Sequence, residues 1–303
     1  MILVTGGAGF IGSHLVEHLL AEGYAVRVLD NFSTGKEANL PQHQDLSIVT
    51  GTVADYDTVS RAMNAVRYVF HLAAVASVAQ SIEDPVETQR TNYLGTLHLL
   101  DAARKNGVKR LIFSSSASVY GDDPVLPKRE DMLPQPMSPY AVDKLASELA
   151  CRTFSHLYGI ETVCLRYFNV YGPRQDPASP YSGVISLFAD KIAAGQQPII
   201  FGDGEQTRDF ISVADVIDAN LRAMSVREAN THVFNIATGK PTSIKNLLNT
   251  MCQIKAVPFT PIYKEKRAGD INRSFADISQ ARAILKWSPS VELGDGLRRL
   301  IGS

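Results

Sequence analysis

Tyr140 and Lys144 stand four residues apart in Ser138-Pro-Tyr-Ala-Val-Asp-Lys144, a spacing that stacks two side chains on one face of a helix. Ser138 suits the N-cap and Pro139 the first helical position. A lysine ammonium beside a phenol favours the phenolate, drawing a tyrosine down from roughly 10 towards physiological pH. Such a tyrosine can take a proton from a sugar hydroxyl while hydride leaves the carbon beneath it. A relay hydroxyl is available in Phe113-Ser-Ser-Ser-Ala-Ser-Val-Tyr-Gly121. There Ser116 would hydrogen-bond the reacting oxygen and exchange a proton with Tyr140.

A hydride acceptor is indicated near residue 1. Ile2 to Val4 are apolar, Thr5-Gly6-Gly-Ala-Gly9-Phe10-Ile11-Gly12 makes a glycine turn into a helical pattern, and Asp30 ends the next apolar run. Glycines let backbone approach a pyrophosphate, and the helix start offers free N–H groups and the positive end of a dipole. A carboxylate at Asp30 can accept from an adenosine ribose and would repel a 2′-phosphate, which favours NAD over NADP.

The elements that must hold these groups follow from periodicity. Strand-like runs are expected at 2–6, 25–30, 46–50, 67–72, 109–115 and 161–167, with helical patterns at 10–22, 56–65, 86–106 and 140–158. Apolar strands alternating with helices predict an α/β fold: a doubly wound parallel sheet of the Rossmann type, covered on both faces. Its carboxyl edge, where ligands bind in such sheets, would carry the Ser114–Ser116 hydroxyls. After Gly172 the prolines 173, 177 and 180 break the pattern, followed by a helix-like run from Val184 to Gly195 and a strand at 198–201. Residues 1–169 are therefore expected to form the NAD-binding domain. Residues 170–303 would form mostly a smaller mixed substrate lobe, with a strand near 233–236 returning to the sheet.

Of 303 residues, 45% are hydrophobic and 20% charged, and the net charge is −1. That is an ordinary globular composition, with no basic surface suggesting nucleic acid or a membrane. Cys151, Cys164 and Cys252 match no metal-ligand spacing, so no metal is expected; Cys164 sits in an apolar strand as a buried thiol. Unpaired cysteines and the lack of a leader or membrane-length apolar run point to a soluble, cytoplasmic protein.

In order along the chain stand Thr5-Gly-Gly-Ala-Gly-Phe-Ile-Gly12, His71-Leu-Ala-Ala74, Ser114 to Gly121, Tyr140-x-x-x-Lys144 and Leu165-Arg-Tyr-Phe-Asn-Val-Tyr-Gly-Pro-Arg174. This series resembles the extended short-chain dehydrogenase/reductase family, and within it the nucleotide-sugar 4-epimerases of the UDP-galactose and UDP-N-acetylglucosamine type. The resemblance covers almost the whole chain. It implies a retained NAD that takes hydride from sugar C4 and returns it to the opposite face of a rotated 4-keto sugar. It implies Tyr140 as base, Lys144 as its partner and nicotinamide-ribose ligand, and Ser116 as shuttle. Cofactor positions implied are Gly6, Gly9, Phe10, Ile11, Gly12, Asp30, Asn31, Leu72, Ala73, Ala74, Asn92, Ser114 and Tyr167. Many relatives place an aspartate near the adenine where this chain reads Gly51-Thr52-Val53; the Thr52 hydroxyl would replace that contact, or it is lost.

For the UDP-sugar, the resemblance implies Asn169 at the diphosphate-sugar, Phe201 beside uracil, Arg208 and Arg267 clamping the phosphates, and Asp270 on the uridine ribose. Guanidinium forks suit diphosphate oxygens. Related dehydratases carry an Asp-Glu pair before Val-Tyr-Gly, and related decarboxylases a Glu; here Ala117 and Ser118 stand there, which favours epimerisation over elimination. A pocket-wall position, often Tyr in relatives that exclude N-acetyl groups, is Ser274, so UDP-GlcNAc and UDP-GalNAc are expected to be accepted, beside UDP-Glc and UDP-Gal. Homodimerisation through helices near 86–106 and 140–158 is implied as well. Two alternatives stay open: a UDP-glucuronate 4-epimerase or other nucleotide-sugar oxidoreductase, and a non-catalytic NAD sensor on the same fold.

Overall fold

The structure, a computed structural model, describes residues 1–176, 183–266 and 271–302. The first half alternates strand and helix: β1 (Ile2–Thr5), α1 (Phe10–Ala21), β2 (Val26–Asp30), β3 (Leu46–Thr50), α2 (Tyr56–Ala62), β4 (Tyr68–His71), α3 (Val78–Glu83), α4 (Pro85–Gln89), α5 (Gly95–Lys105), β5 (Arg110–Ser116), α6 (Pro139–Tyr158) and β6 (Glu161–Tyr167). The remainder runs β7 (Asn169–Tyr171), α7 (Val184–Ala193), β8 (Ile199–Phe201), β9 (Thr207–Ser212), α8 (Val213–Ser225), β10 (Val233–Ile236), β11 (Pro241–Ser243), α9 (Ile244–Lys255), β12 (Ile262–Lys264) and α10 (Leu293–Ile301).

Seven strands form a parallel sheet in the order β10-β6-β5-β4-β1-β2-β3. This is the doubly wound Rossmann arrangement, and the strand order reverses between β1 and β4. A crevice at the carboxyl ends of those two strands is where such sheets receive ligands. On one face, Leu15, Val16 and Leu19 of α1 and Val216 and Ile217 of α8 pack on the sheet; on the other, Leu99, Leu100 and Ala103 of α5 pack with Cys151 of α6. A separate core of Phe188, Leu247, Met251 and Leu297 holds the smaller lobe together. That lobe carries the small sheets β11-β9-β7 and β12-β8.

Three expectations need correction. The strands are not covered uniformly: β3 lies at one edge of the sheet, and its Ser47, Ile48 and Thr50 face solvent. The helix expected at 86–106 is continuous but not α-helical throughout, because a π-helical turn at Arg90–Leu94 joins α4 to α5. More of 170–303 joins the central core than one returning strand, because α8, Ala281, Leu285 and the fully buried Trp287 also pack against the α1 side. The three cysteines are free and buried. Among the described residues, no helix is long and apolar enough to cross a membrane.

Candidate active site

Where β1 turns into α1, the backbone leaves no room for a side chain at two positions. Gly6 has φ +69°, and a Cβ there would lie 2.7 Å from Ala73 N; a Cβ on Gly12 would lie 2.1 Å from Gly6 O. Only glycine fits both positions. No side chain caps α1, whose N-cap is Gly9, so its first N–H groups, at Phe10 and Ile11, face the turn. An uncapped helix start over a glycine cradle fits the diphosphate of a dinucleotide.

The walls of this cradle come from neighbouring strand ends. Asp30 accepts from Ala8 N at 2.9 Å and from Phe32 N at 2.8 Å, which fixes its carboxylate beside the turn with lone pairs left for a ribose. Asn31 is exposed and accepts from Ser33 N at 3.1 Å. Thr52 accepts from Ala54 N at 3.2 Å, and Val53 is buried against Gly95. Leu72 N donates to Thr5 O at 3.1 Å and Ala73 N to the Thr5 hydroxyl at 3.2 Å, holding Leu72, Ala73 and Ala74 beside the turn. Asn92, on the π-helical turn, is buried and spends its amide on Val75, accepting from N at 2.8 Å and donating to O at 3.1 Å. It therefore shapes the β4 turn.

The reacting groups meet at the end of β5. Ser138 caps α6 by accepting from Ala141 N at 3.2 Å, and Pro139 begins the helix. Tyr140 and Lys144 consequently share a face, and the Ser116 hydroxyl lies close enough to the Tyr140 phenol to favour its ionised form. Ser116 also accepts from Ser118 N at 3.1 Å. Lys144 is 5% exposed, donates to Ser114 O at 2.7 Å, and its Nζ lies 5.7 Å from the Tyr140 ring centroid. Ser114 Oγ lies 3.1 Å from the Tyr167 hydroxyl, which Asn220 also holds, through Oδ1 at 3.0 Å and Nδ2 at 2.8 Å.

Electrostatics here depart from the sequence expectation. Burial pulls the Lys144 ammonium down to about 8, against the opposing charges of Asp143 and Glu148. Burial pushes the Tyr140 phenol above its ordinary value, and the Ser116 hydroxyl offsets this only in part. A lysine that gives up its proton near 8 is charged at neutral pH but has lost that charge in the alkaline range where this buried phenol would ionise by itself. The chain alone therefore does not lower Tyr140; the low-dielectric wall that orders the pair also opposes its ionisation.

On the substrate side, Asn169 opens β7 and is paired opposite Phe210 of β9. Arg208, two residues before Phe210, is half-buried and donates to Thr207 O at 2.8 Å. Ser274 N donates to the same carbonyl at 3.1 Å, so Ser274 lies against the Arg208 strand. Phe201 ends β8, and its carbonyl accepts from Gln206 Nε2 at 2.8 Å. Arg267 and Asp270 lie outside the described residues.

Sequence reasoning passed over several buried groups around the site. His71 bridges Thr5 Oγ1 at 2.8 Å and Thr96 Oγ1 at 3.0 Å, and burial, with Lys144 nearby, takes it down to about 3. Arg166 forks onto Glu148 at 2.9 and 2.7 Å. Asp143 is buried with one oxygen unpartnered, and burial lifts it to about 6 despite Lys144. The helical repeat from Lys144 points to Glu148; nothing local marks the others.

A family model described as NAD dependent epimerase/dehydratase family matches residues 2–237. A UDP-glucose 4-epimerase of Mycolicibacterium smegmatis is 40% identical over 304 aligned positions, covering 99% of this chain and 96% of the relative. The crystal structure of a UDP-glucose 4-epimerase with UDP-glucose from Thermotoga maritima superposes with a TM-score of 0.95 at 42% identity, covering 99% of this chain and 97% of that one. A UDP-N-acetylglucosamine 4-epimerase from Methanobrevibacter ruminantium, in complex with UDP-N-acetylmuramic acid, superposes with a TM-score of 0.95 at 39% identity, covering 99% and 96%.

Proposed function

We infer, because this chain belongs to the NAD dependent epimerase/dehydratase family, that it interconverts UDP-hexoses epimeric at C4, accepting UDP-GlcNAc and UDP-GalNAc beside UDP-Glc and UDP-Gal. The convergence of Ser116, Tyr140 and Lys144 at the carboxyl end of β5, two strands from the glycine turn, carries the reading. Bound NAD supplies the hydride acceptor and donor and a positive nicotinamide ring. Tyr140 takes the proton from the sugar O4 as C4 is oxidised and returns it to the ketone oxygen on the second half-turn. Ser116 hydrogen-bonds that oxygen and keeps the proton within reach of the phenol. Lys144 holds the nicotinamide ribose and adds its charge beside Tyr140.

Gly6, Gly9, Gly12 and Asp30 receive the dinucleotide in residues 1–169, and Asn169, Phe201 and Arg208 meet the UDP-sugar from most of the remainder. Ala117 and Ser118 offer no carboxylate for elimination at C5–C6, so the 4-keto sugar is reduced again and not dehydrated. A serine at 274 leaves space for a 2-acetamido group. Val86, Leu94, Val142 and Leu149 are apolar and exposed on α4, the π-helical turn and α6, a face suited to pairing two copies of this chain into a homodimer. Three free thiols fit a reducing cytoplasm.

Chromatography of products after incubating the purified protein with UDP-Glc, UDP-Gal, UDP-GlcNAc and UDP-GalNAc tests the assignment. Interconversion within each pair supports it. Bound NAD with no interconversion of any of the four would leave only a sensor.

A further inference from the structure

The sugar side and the reacting side of the site are joined by a run of contacts through buried residues, hydrogen-bonded except for one cation–π step. At its centre is Asn235, the one polar residue in the apolar strand β10, fully buried. Its Oδ1 accepts from the Tyr120 hydroxyl at 2.6 Å, and its Nδ2 donates to Lys128 O at 2.9 Å and Asp277 O at 3.2 Å. Every hydrogen-bonding group of the amide is therefore committed. A polar side chain at such a position costs stability unless it is fully paired, and once paired it resists movement, because displacement strands buried donors and acceptors.

One arm runs to the reacting groups. Tyr120 closes the helical turn that Ser116 caps, and its ring lies 4.7 Å from the Arg166 guanidinium. Arg166 is forked onto Glu148, one helical turn beyond Lys144, and Glu148 also takes the Ser115 hydroxyl. The other arm runs to the sugar wall. Lys128 N donates to Phe275 O and Lys128 O accepts from Asp277 N, both at 2.9 Å. The segment that begins at Ser274 is thus stitched to Lys128 on one side and to Thr207 on the other.

We propose that Asn235 and Tyr120 are positioning residues that fix the separation between the Ser274 wall and the Ser116–Lys144 pair, and so decide which sugar sits with its C4 under Tyr140. The role rests on the UDP-hexose reading above. Neither residue touches the reacting atoms; both act through the backbone they hold. A wall set by hydrogen bonds at fixed length admits a 2-acetamido group only while the tether keeps its register.

Tyr120→Phe cuts the first arm by removing one oxygen. Asn235→Asp keeps the acceptor for Tyr120 and loses both donations, cutting the second. With the NAD-loaded enzyme, each variant is expected to raise KM for UDP-GlcNAc by about 3- to 10-fold, the scale of one buried hydrogen bond. The ratio of kcat/KM between UDP-GlcNAc and UDP-Glc should move in the same direction in both, with NAD content as in the parent. Lowered thermal stability with KM and that ratio unchanged overturns the role and leaves a structural bond only. Should Asn235→Asp not fold, Tyr120→Phe decides alone. A parent enzyme inactive on both sugars would instead overturn the assigned function.

Discussion

Replacing Lys144 by methionine separates its charge from its bulk. Its ammonium lies 5.7 Å from the Tyr140 ring centroid. Below its own value of about 8 the lysine carries that charge, and with an effective dielectric of about 20 a unit charge at that range stabilises a phenolate formed at neutral pH by about 3 kcal/mol, or about two pKa units. Burial already pushes the phenol up, so removal of the charge leaves nothing from the chain to oppose it except the Ser116 hydroxyl. Lys144→Met should therefore slow the reaction by about 100-fold at neutral pH and move the midpoint of its pH profile to the alkaline side. The assay is rapid-mixing reduction of enzyme-bound NAD by UDP-sugar across pH, normalised to NAD content, because the lysine is also expected to hold the nicotinamide ribose. A variant with full NAD content, a rate within about fivefold of the parent and an unmoved midpoint would refute the charge argument.

Ser274→Tyr should lower kcat/KM for UDP-GlcNAc and UDP-GalNAc at least about tenfold more than for UDP-Glc and UDP-Gal, the scale of overpacking a filled pocket; equal losses in the two classes would remove Ser274 from the sugar wall. Glu148→Gln leaves the buried Arg166 charge, 4% exposed at its side chain, without its carboxylate, and should cost about 3–5 kcal/mol. Calorimetry should register a fall in Tm of about 6–10 °C at about 2 °C per kcal/mol for a chain of this size. Adding Arg166→Met should recover much of that loss, and a single variant within about 2 °C of the parent would show that the pair contributes little. His71 titrates near 3 in the fold against about 6.5 when unfolded, so the unfolded chain binds the extra proton between those values. Its contribution to stability is complete above about 6.5 and is lost at about 1.4 kcal/mol per pH unit as pH falls towards 3. Urea unfolding at neutral and acid pH should show a shallower acid loss in His71→Gln, and an identical slope would contradict the assignment.

The strands of the sheet were legible because β1, β2, β4, β5 and β6 are short apolar runs closed by turns, and a parallel sheet buries both faces of its inner strands. Strand β3 has the same kind of sequence, and nothing in it tells of its place at one end of the sheet, where Ile48 is exposed. The π turn at Arg90–Leu94 is hidden in the sequence because it keeps helical composition; what it achieves, turning Asn92 inward to Val75, is a tertiary contact. The i, i+4 spacing singles out Tyr140 and Lys144, and Ser116 stands out by its place after an apolar strand. Their proton affinities are not legible there, since burial depends on α3, α4 and the β5 wall folding around them. Asn235 lay within an apolar run and Tyr120 in a serine-rich turn, and their partners Lys128 and Asp277 are distant in the chain. No local pattern connects such residues.

Transient oxidation at C4 with internal return of hydride is tested most directly by isotope. UDP-hexose carrying deuterium at C4 should yield both C4 epimers with the label retained at that carbon, and with none passed to free NAD or to water. Epimers formed with loss of deuterium to solvent would mean proton abstraction from carbon, and the phenol, ammonium and serine gathered at the end of β5 would need a different chemistry.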